Sequence, residues 1–550
     1  LPKFNPRIIE FYLFPLLSQK NLLSLWKNSA TMVNYPIGIQ TFDKIRQDGY
    51  LYIDKTKYIY EITHPGQYVF LSRPRRFGKS LLTSTFDAYF SGRKDLFKGL
   101  AIEELEKEWK VYPVLHFSLA SAKLGTVEDL HVQLRIQLER NEDRHGIHTD
   151  ITNISERFQN LVTSLYKKTG TQVVVLIDEY DAPLLTVLHD KERLEQMRTE
   201  LQAFYSPLKD LDPYLRFVFI TGITKFSQLS IFSQLNNLNN ISMLPQYAAI
   251  CGITRDELID NFQEGIQTLG EENDMTSEQV LAQLERTYDG YHFARKGPGV
   301  YNPFSLLASM TNKDFDNYWF STGTPTFLVN MLKHFHTDIT KIDGSEAWAA
   351  DFDAPTENMQ SVLPLFYQSG YLTIKGYDPI IKRYTLGYPN EEVKVGLMRI
   401  LIPYYVHTNT VEAGNAVANM YLALRKDDMD GSLKAMQEFF TTIPYQENTL
   451  KDAPTTEGHF TAMLYVMFSL LNVYVFSQVR NAKGRLDILI KTDTTVYVME
   501  LKLDGDLDKA LRQIDEKDNA IPYKSDGRKV VKVAINFSTE LRTIKEWKIE

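Results

Sequence analysis

Asp487, Glu500 and Lys502 are residues whose types and spacing suit hydrolytic chemistry. They lie in two apolar stretches, Gly484-Arg485-Leu486-Asp487-Ile488-Leu489-Ile490 and Val496-Tyr497-Val498-Met499-Glu500-Leu501-Lys502, divided by a short polar segment. β-Branched and aromatic residues around a polar turn predict a β-hairpin. With the turn centred between Asp493 and Thr494, Asp487 falls directly opposite Glu500 at the hairpin mouth. Like charges facing across a strand pair destabilise the sheet. A divalent cation between them removes the conflict, because Mg²⁺ takes a few carboxylate oxygens and completes its shell with waters and phosphate. Side chains alternate along a strand, so Glu500 and Lys502 share a face. The ammonium then stands where it could orient a water nucleophile or offset charge on a phosphorane-like transition state. The alternative is an Asp, a Glu and a Lys on an ordinary solvated sheet face.

Asp487 precedes Glu500 by thirteen positions, and a helical segment follows with Leu507, Ala510, Leu511 and Ile514 at helical spacing and Gln513 among them. This combination resembles the PD-(D/E)XK nuclease superfamily, and more narrowly the nuclease-like domain that ends many bacterial proteins with an AAA-ATPase-like domain in front. The resemblance implies Asp487 and Glu500 as metal ligands, Lys502 as the catalytic lysine and Gln513 as the polar residue of the following helix. It also implies an acid on a preceding helix, which here is Glu457, ahead of the run from Phe460 to Phe468. An acid favoured by the helix dipole is the other reading of Glu457.

A second chemical constellation lies upstream. Tyr68-Val69-Phe70-Leu71 predicts a buried strand, Ser72 to Ser80 a loop, and Leu81 to Tyr89 a helix. Strand, loop and helix with Gly78-Lys79-Ser80 at the helix start is the context of a phosphate-binding loop. Backbone N–H groups there would hold phosphate, Lys79 would reach the β- and γ-phosphates, and the Ser80 hydroxyl would ligate Mg²⁺. The first glycine of the usual G-x-x-x-x-G-K-S pattern is replaced by Arg73, and Arg75 and Arg76 add charge suited to a polyphosphate. Val173-Val174-Val175-Leu176-Ile177 follows about one hundred residues later and ends in Asp178-Glu179-Tyr180-Asp181. A continuous apolar run ending in acids predicts a buried parallel strand. Asp178 would hold the Mg²⁺ shell and Glu179 would polarise the attacking water. Phe217 to Gly222 predicts a further strand, where Thr221 or Thr224 would sense the γ-phosphate. Asp178 as a helix cap and Thr221 as a plain strand end remain open. These segments resemble the same AAA-ATPase-like family, and the likeness covers roughly residues 33–340 and 446–550.

The chain has 550 residues, too many for one core, so several domains are expected. The predicted organisation is an N-terminal extension over 1–31, an AAA-ATPase-like P-loop domain over 32–252, a helical lid-like region over 253–345, a helical and mixed connecting region over 346–450, and an α/β PD-(D/E)XK nuclease-like domain over 451–550. Residues 1–31 carry apolar runs broken by Glu10, Pro15 and Lys20, and Met32 is read as the native start. The single cysteine, Cys251, excludes an intrachain disulfide and suits a reducing cytoplasm. No stretch reaches the roughly 18 to 20 apolar residues of a membrane span. The net charge of −8 argues against a surface built throughout for nucleic acid, but the segment from Phe476 to Glu550 carries 15 Lys and Arg against 13 Asp and Glu. A local nucleic-acid groove there is permitted. Thr254 and Glu257 form a capping-box pattern opening a helical region to about Tyr288, His292 reads as a packed histidine, and residues 345–445 offer no chemical motif. The expectation is an ATP- and Mg²⁺-binding, bacterial, cytoplasmic protein whose P-loop domain controls a metal-dependent nuclease acting on DNA or RNA, with homo-oligomerisation left open. A regulatory ATPase with a non-catalytic nuclease fold is the rival, as is a nuclease whose nucleotide is purely structural.

Overall fold

The computed structural model describes residues 33–120, 125–188, 190–225, 235, 237–321, 326–353, 361–405, 410–442, 456–471, 474–481 and 484–550. The expected extension over 1–31 and the linker residues 451–455 lie outside them.

Five parallel strands form the first sheet: β1 (Tyr68–Ser72), β2 (Val114–Ser118), β3 (Val173–Asp178), β4 (Leu215–Gly222) and β5 (Asn239–Asn240), in the order β2-β3-β4-β1-β5. Every residue of β1, β3 and the last six of β4 is buried, as apolar runs without alternation require. Polar groups then have room only at the strand ends, and the loops that follow β1 and β3 carry the acids and bases singled out above. The helix Lys79–Phe90 packs on β2, β3 and β4.

Next come the helices Arg255–Asn261, Gln263–Glu272, Ser277–Tyr288 and Pro303–Asn312, with a core of their own around Leu258, Phe262, Leu269, Leu284 and Leu306. Thr254 caps the first of them, its hydroxyl accepting from the Glu257 N–H at 3.2 Å. His292 is half-buried, its N–H donating to Thr373, and burial lowers the ring's proton affinity, as suits a packing role. The connecting region, read as helical and mixed, combines helices with short strands: β6 (Ser345–Trp348), β7 (Thr373–Asp378) and β8 (Arg383–Gly387) form an antiparallel sheet ordered β6-β8-β7. Helices Glu391–Tyr405, Thr410–Leu424 and Met429–Thr442 follow.

The last sheet runs β13-β12-β11-β10-β9, with β9 (Tyr474–Asn481), β10 (Gly484–Lys491), β11 (Thr495–Leu503), β12 (Lys529–Ser538) and β13 (Thr543–Ile549). Only β11 and β12 are parallel, and the helix Leu507–Glu516 makes the crossover between them. Its Ala510, Leu511 and Ile514 bury against Leu486, Val496 and Val498. The helix Glu457–Ser469 is buried along its length from Phe460, packed between this sheet and the helix Glu391–Tyr405.

Glu392, fully buried near the start of Glu391–Tyr405, joins these layers. It accepts from the Trp319 N–H at 2.7 Å and the Ser305 hydroxyl at 2.8 Å. Burial pushes its carboxyl up to about 7. A carboxyl whose folded pKa exceeds its unfolded one binds protons more tightly when folded, so stability is lost as pH rises from the unfolded value to about 7. The expected cost is roughly 3 kcal/mol. Thermal melts at about pH 5 and pH 7.5 check this: Glu392→Gln should lose less stability than the wild type over that interval, and parallel losses would exclude Glu392 as the source.

Candidate functional site

Two constellations occupy strand ends. At the end of β1 the chain enters Arg73–Ser80. Gly78 takes φ 88°, a left-handed conformation in which a β-carbon would be strained, and the helix begins at Lys79 with no side chain capping it. The first N–H groups of that helix are thus available to an anion. Arg75, Arg76, Gly78, Lys79, Ser80 and Glu179 together line a cavity of about 510 Å³. Lys79 is buried, with Nζ donating to the Pro74 carbonyl at 3.0 Å, and the Arg76 guanidinium lies 4.6 Å over the Phe304 ring. Arg73 does not join the cavity. Its guanidinium donates to the carbonyls of Ser72, Ser242 and Tyr247 at 2.8–2.9 Å and stacks 4.3 Å over Phe293. The arginine at the usual glycine position is therefore a tether for the loop, and Arg75 and Arg76 are the arginines that line the cavity.

Asp178 closes β3, buried, and its Oδ1 has no hydrogen-bond partner among the described residues, so it could accept a cation or a water. Glu179 follows at φ 51°, an uncommon conformation for a glutamate that carries strain at a site. Burial raises its carboxyl, and Lys79 opposes the rise. Thr221 lies elsewhere than the cavity wall, fully buried, its hydroxyl donating to the Leu71 carbonyl at 2.8 Å. Asp181, buried, accepts from the Thr224 N–H and hydroxyl, both at 2.6 Å, and from the Ile223 N–H at 3.1 Å. The chain beyond β4 is thereby tied to the acids at the end of β3.

The facing wall comes from distant sequence. Trp319, Phe320 and Tyr371 line the cavity, as do residues 36–40. The Trp319 indole N–H donates to the Arg75 carbonyl at 3.4 Å, and its ring lies 5.0 Å from that of Tyr371. Gly370, at φ 90°, approaches the loop so closely that a β-carbon would meet Pro74 at 2.7 Å. The Lys225 N–H donates to Gln368 at 2.8 Å. Residues 363–371 therefore sit directly on the P-loop side of the molecule.

In the C-terminal sheet the register runs Ile488↔Met499, Leu489↔Val498, Ile490↔Tyr497 and Lys491↔Val496, and Asp487 and Glu500 come next along it. Asp487 is 7% exposed and Glu500 1%. The Asp487 Oδ2 accepts the Leu501 N–H at 2.9 Å. Glu500 Oε1 faces Lys502 Nζ at 3.4 Å, Lys517 Nζ at 3.5 Å and the Gln513 amide, whereas the buried Oε2 has no partner among the described residues. Burial raises both carboxyls, and the Asp487 charge adds to the rise at Glu500. Glu457 opens the helix Glu457–Ser469 at the surface, and its carboxyl is raised by burial and then by Asp487. Among the described residues no group of three or more His, Cys, Asp or Glu is close enough to form a ready metal cage. Two opposed carboxylates with one orphaned oxygen nevertheless fit a hard divalent cation that keeps waters in its shell.

Residue patterns missed Asp181, Trp319, Tyr371 and Lys517. Asp181 stood in the acidic segment but had no visible partner, and Lys517 lies four positions after Gln513, one helical turn along the same face. Trp319 and Tyr371 carried no signal, because only tertiary folding brings them to the loop.

A family model described as Predicted AAA-ATPase matches residues 36–232, and one described as PD-(D/E)XK nuclease superfamily matches residues 455–547. A protein of Azotobacter chroococcum mcd 1, named as an uncharacterized protein in the vnfD 5′ region, is 33% identical over 523 residues, covering 94% of this chain and 98% of its own length. None of the described helices is long and apolar enough to cross a membrane. With likeness running through nearly the whole of both chains, this protein belongs to the family of that Azotobacter protein and joins an AAA-ATPase-like domain to a C-terminal PD-(D/E)XK nuclease superfamily domain.

Proposed function

We propose that the protein is a nucleotide-controlled nuclease that hydrolyses phosphodiester bonds in DNA or RNA with a divalent metal, and that it serves in defence against foreign nucleic acid or in processing mobile elements. The observation that carries the reading is the buried, opposed pair Asp487 and Glu500, with Glu500 Oε2 unpartnered and Lys502 3.4 Å from its other oxygen. Mg²⁺ bound there would supply Lewis acidity and an acidified water. Asp487, Glu500 and Glu457 would hold it. Gln513 fixes the Glu500 carboxylate by its amide, leaving Lys502 to orient the nucleophile or offset transition-state charge.

In the first domain ATP would occupy the cavity beside Lys79 and Ser80, with Arg75 and Arg76 on its phosphates. Ser80 and the orphaned Asp178 oxygen would hold Mg²⁺, and Glu179 would polarise the attacking water. Control of one domain by the other is supported by continuity. Trp319 lines the nucleotide cavity and is held by Glu392, whose helix packs on Glu457–Ser469, and Lys394 of the same helix donates to the Val475 carbonyl of β9 at 3.1 Å.

Glu179→Gln should retain ATP binding and lower phosphate release on the order of 100-fold or more. Release that is unchanged in this variant would make the nucleotide a structural one. Cleavage of a mixed DNA and RNA panel with Mg²⁺ or Mn²⁺, with and without ATP, tests the nuclease. Lys502→Ala and Asp487→Asn should each reduce it on the order of 100-fold. In metal-free buffer Asp487→Asn should also melt higher than the wild type, since it removes one of two opposed buried charges. No cleavage under any condition, with ATP still hydrolysed, would give the function to a regulatory ATPase with a non-catalytic nuclease fold.

A further inference from the structure

A nucleotide shifts a conformational equilibrium only through contacts that differ between the two states, so control by ATP needs a group that touches the γ-phosphate alone. The residues expected to do so face elsewhere: the Thr221 hydroxyl donates to the Leu71 carbonyl inside the sheet, and the Thr224 hydroxyl donates to Asp181. The wall at that end comes instead from residues 368–371. Gln368 accepts the N–H of Lys225, beyond β4, at 2.8 Å. Gly370 lies against Pro74, where a β-carbon would stand 2.7 Å from the proline side chain, and the Pro74 carbonyl accepts from Lys79 Nζ at 3.0 Å. The segment is thus seated between the loops that follow β1 and β4, beside the lysine assigned to the β- and γ-phosphates, and Ser369 and Tyr371 line the cavity from it.

These two hydroxyls differ in what holds them. That of Ser369 donates to the Leu365 carbonyl, whereas no described residue bonds the Tyr371 hydroxyl. The Tyr371 ring itself is fixed, with ring centroids of Trp319 at 5.0 Å, Phe366 at 5.5 Å and Phe320 at 5.8 Å. A ring packed on three aromatic neighbours has already lost its rotamer freedom, so its hydroxyl is placed before a ligand arrives. Burial raises the phenol's proton affinity, with Arg75 opposing, and the group stays a donor. Burial also raises the Glu179 carboxyl, opposed by Lys79 and then Arg75. The Arg75 guanidinium is therefore within electrostatic reach of both the acid assigned to the attacking water and the Tyr371 hydroxyl, and the Trp319 indole holds the Arg75 carbonyl at 3.4 Å.

We propose that Tyr371 senses the γ-phosphate: its hydroxyl donates to a γ-phosphate oxygen of the bound nucleoside triphosphate, and a diphosphate leaves that contact unmade. This rests on the nucleotide-site reading above and adds to it the group that separates ATP from ADP. The sensing residue lies outside the matched AAA-ATPase segment. Trp319, which packs on Tyr371, is held by Glu392, so the contact bears on the helix Glu391–Tyr405 and through it on Glu457–Ser469, and not on β4. A stacking platform for the nucleotide base is the competing account of the same aromatic wall, and the two differ in what the hydroxyl does.

The test is calorimetric titration of the full-length protein with ATPγS, a slowly hydrolysed triphosphate, and with ADP, each with Mg²⁺. Tyr371→Phe keeps the ring and removes only the hydroxyl. It should bind ATPγS on the order of 10-fold more weakly than the wild type and ADP within about twofold of it, as expected for one hydrogen bond to a charged group. Its melting temperature without nucleotide should match the wild type, since no described group loses a partner. Unchanged affinity for ATPγS, an equal loss for both nucleotides, or a fall in melting temperature that accounts for the weaker binding would overturn the inference and leave the nucleotide site standing. Failure of the wild type to bind either nucleotide would remove the nucleotide reading and this inference with it.

Discussion

Asp487 and Glu500 are both buried one position beyond the Ile488↔Met499 pair of β10 and β11, and two like charges cannot share such a place without compensation. The surrounding groups all act on that repulsion. The Leu501 N–H turns to Asp487, and Lys502, Lys517 and Gln513 converge on one oxygen of Glu500. The other oxygen is left over, and burial raises both carboxyls. The same tension recurs at the end of β3, where Asp178, Glu179 and Asp181 follow closely in sequence: Asp181 accepts from N–H and hydroxyl donors, whereas Asp178 Oδ1 has no partner among the described residues. Each sheet keeps one buried carboxylate oxygen, Asp178 Oδ1 and Glu500 Oε2, without a hydrogen-bond partner among the described residues.

The middle of the chain supplies the wall that the P-loop domain lacks. Trp319 and Tyr371 close the cavity, and Gly370 permits the close seat on Pro74 that a side chain would block. Glu392 holds Trp319 from below, at the head of a helix that touches the buried helix Glu457–Ser469. A chain of contacts thus runs from the cavity wall to groups that also support the C-terminal sheet.

Much of this was legible in the residues. Buried parallel strands announce themselves as unbroken apolar runs, and β1, β3 and β4 did so. The hairpin register could be read because a polar turn of few residues leaves little freedom, and its four observed pairs follow the expected alignment. The fate of Arg73 was not legible: a positive charge in a phosphate loop suggests phosphate, and nothing local reveals the carbonyls of Ser242 and Tyr247 that it meets instead. Thr221 was ambiguous for the same reason, since the Leu71 carbonyl that takes its proton belongs to a neighbouring strand. The short strands β6, β7 and β8 gave weak signals because each is only four to six residues long and none has a clean alternation of buried and exposed positions. The roles of Trp319, Tyr371 and Lys517 depend on contacts across tens to hundreds of residues.

The Arg73 tether sets the limits of what can be cut from this chain. The matched AAA-ATPase segment ends at residue 232, yet the loop that defines it is anchored to Ser242 and Tyr247 and roofed by Phe293. A fragment trimmed at the end of the matched segment would carry a buried guanidinium with two of its three carbonyl acceptors missing. The smallest piece that keeps the Arg73 tether whole therefore reaches residue 293, and the boundary of the matched segment is not the boundary of the packing that holds the loop.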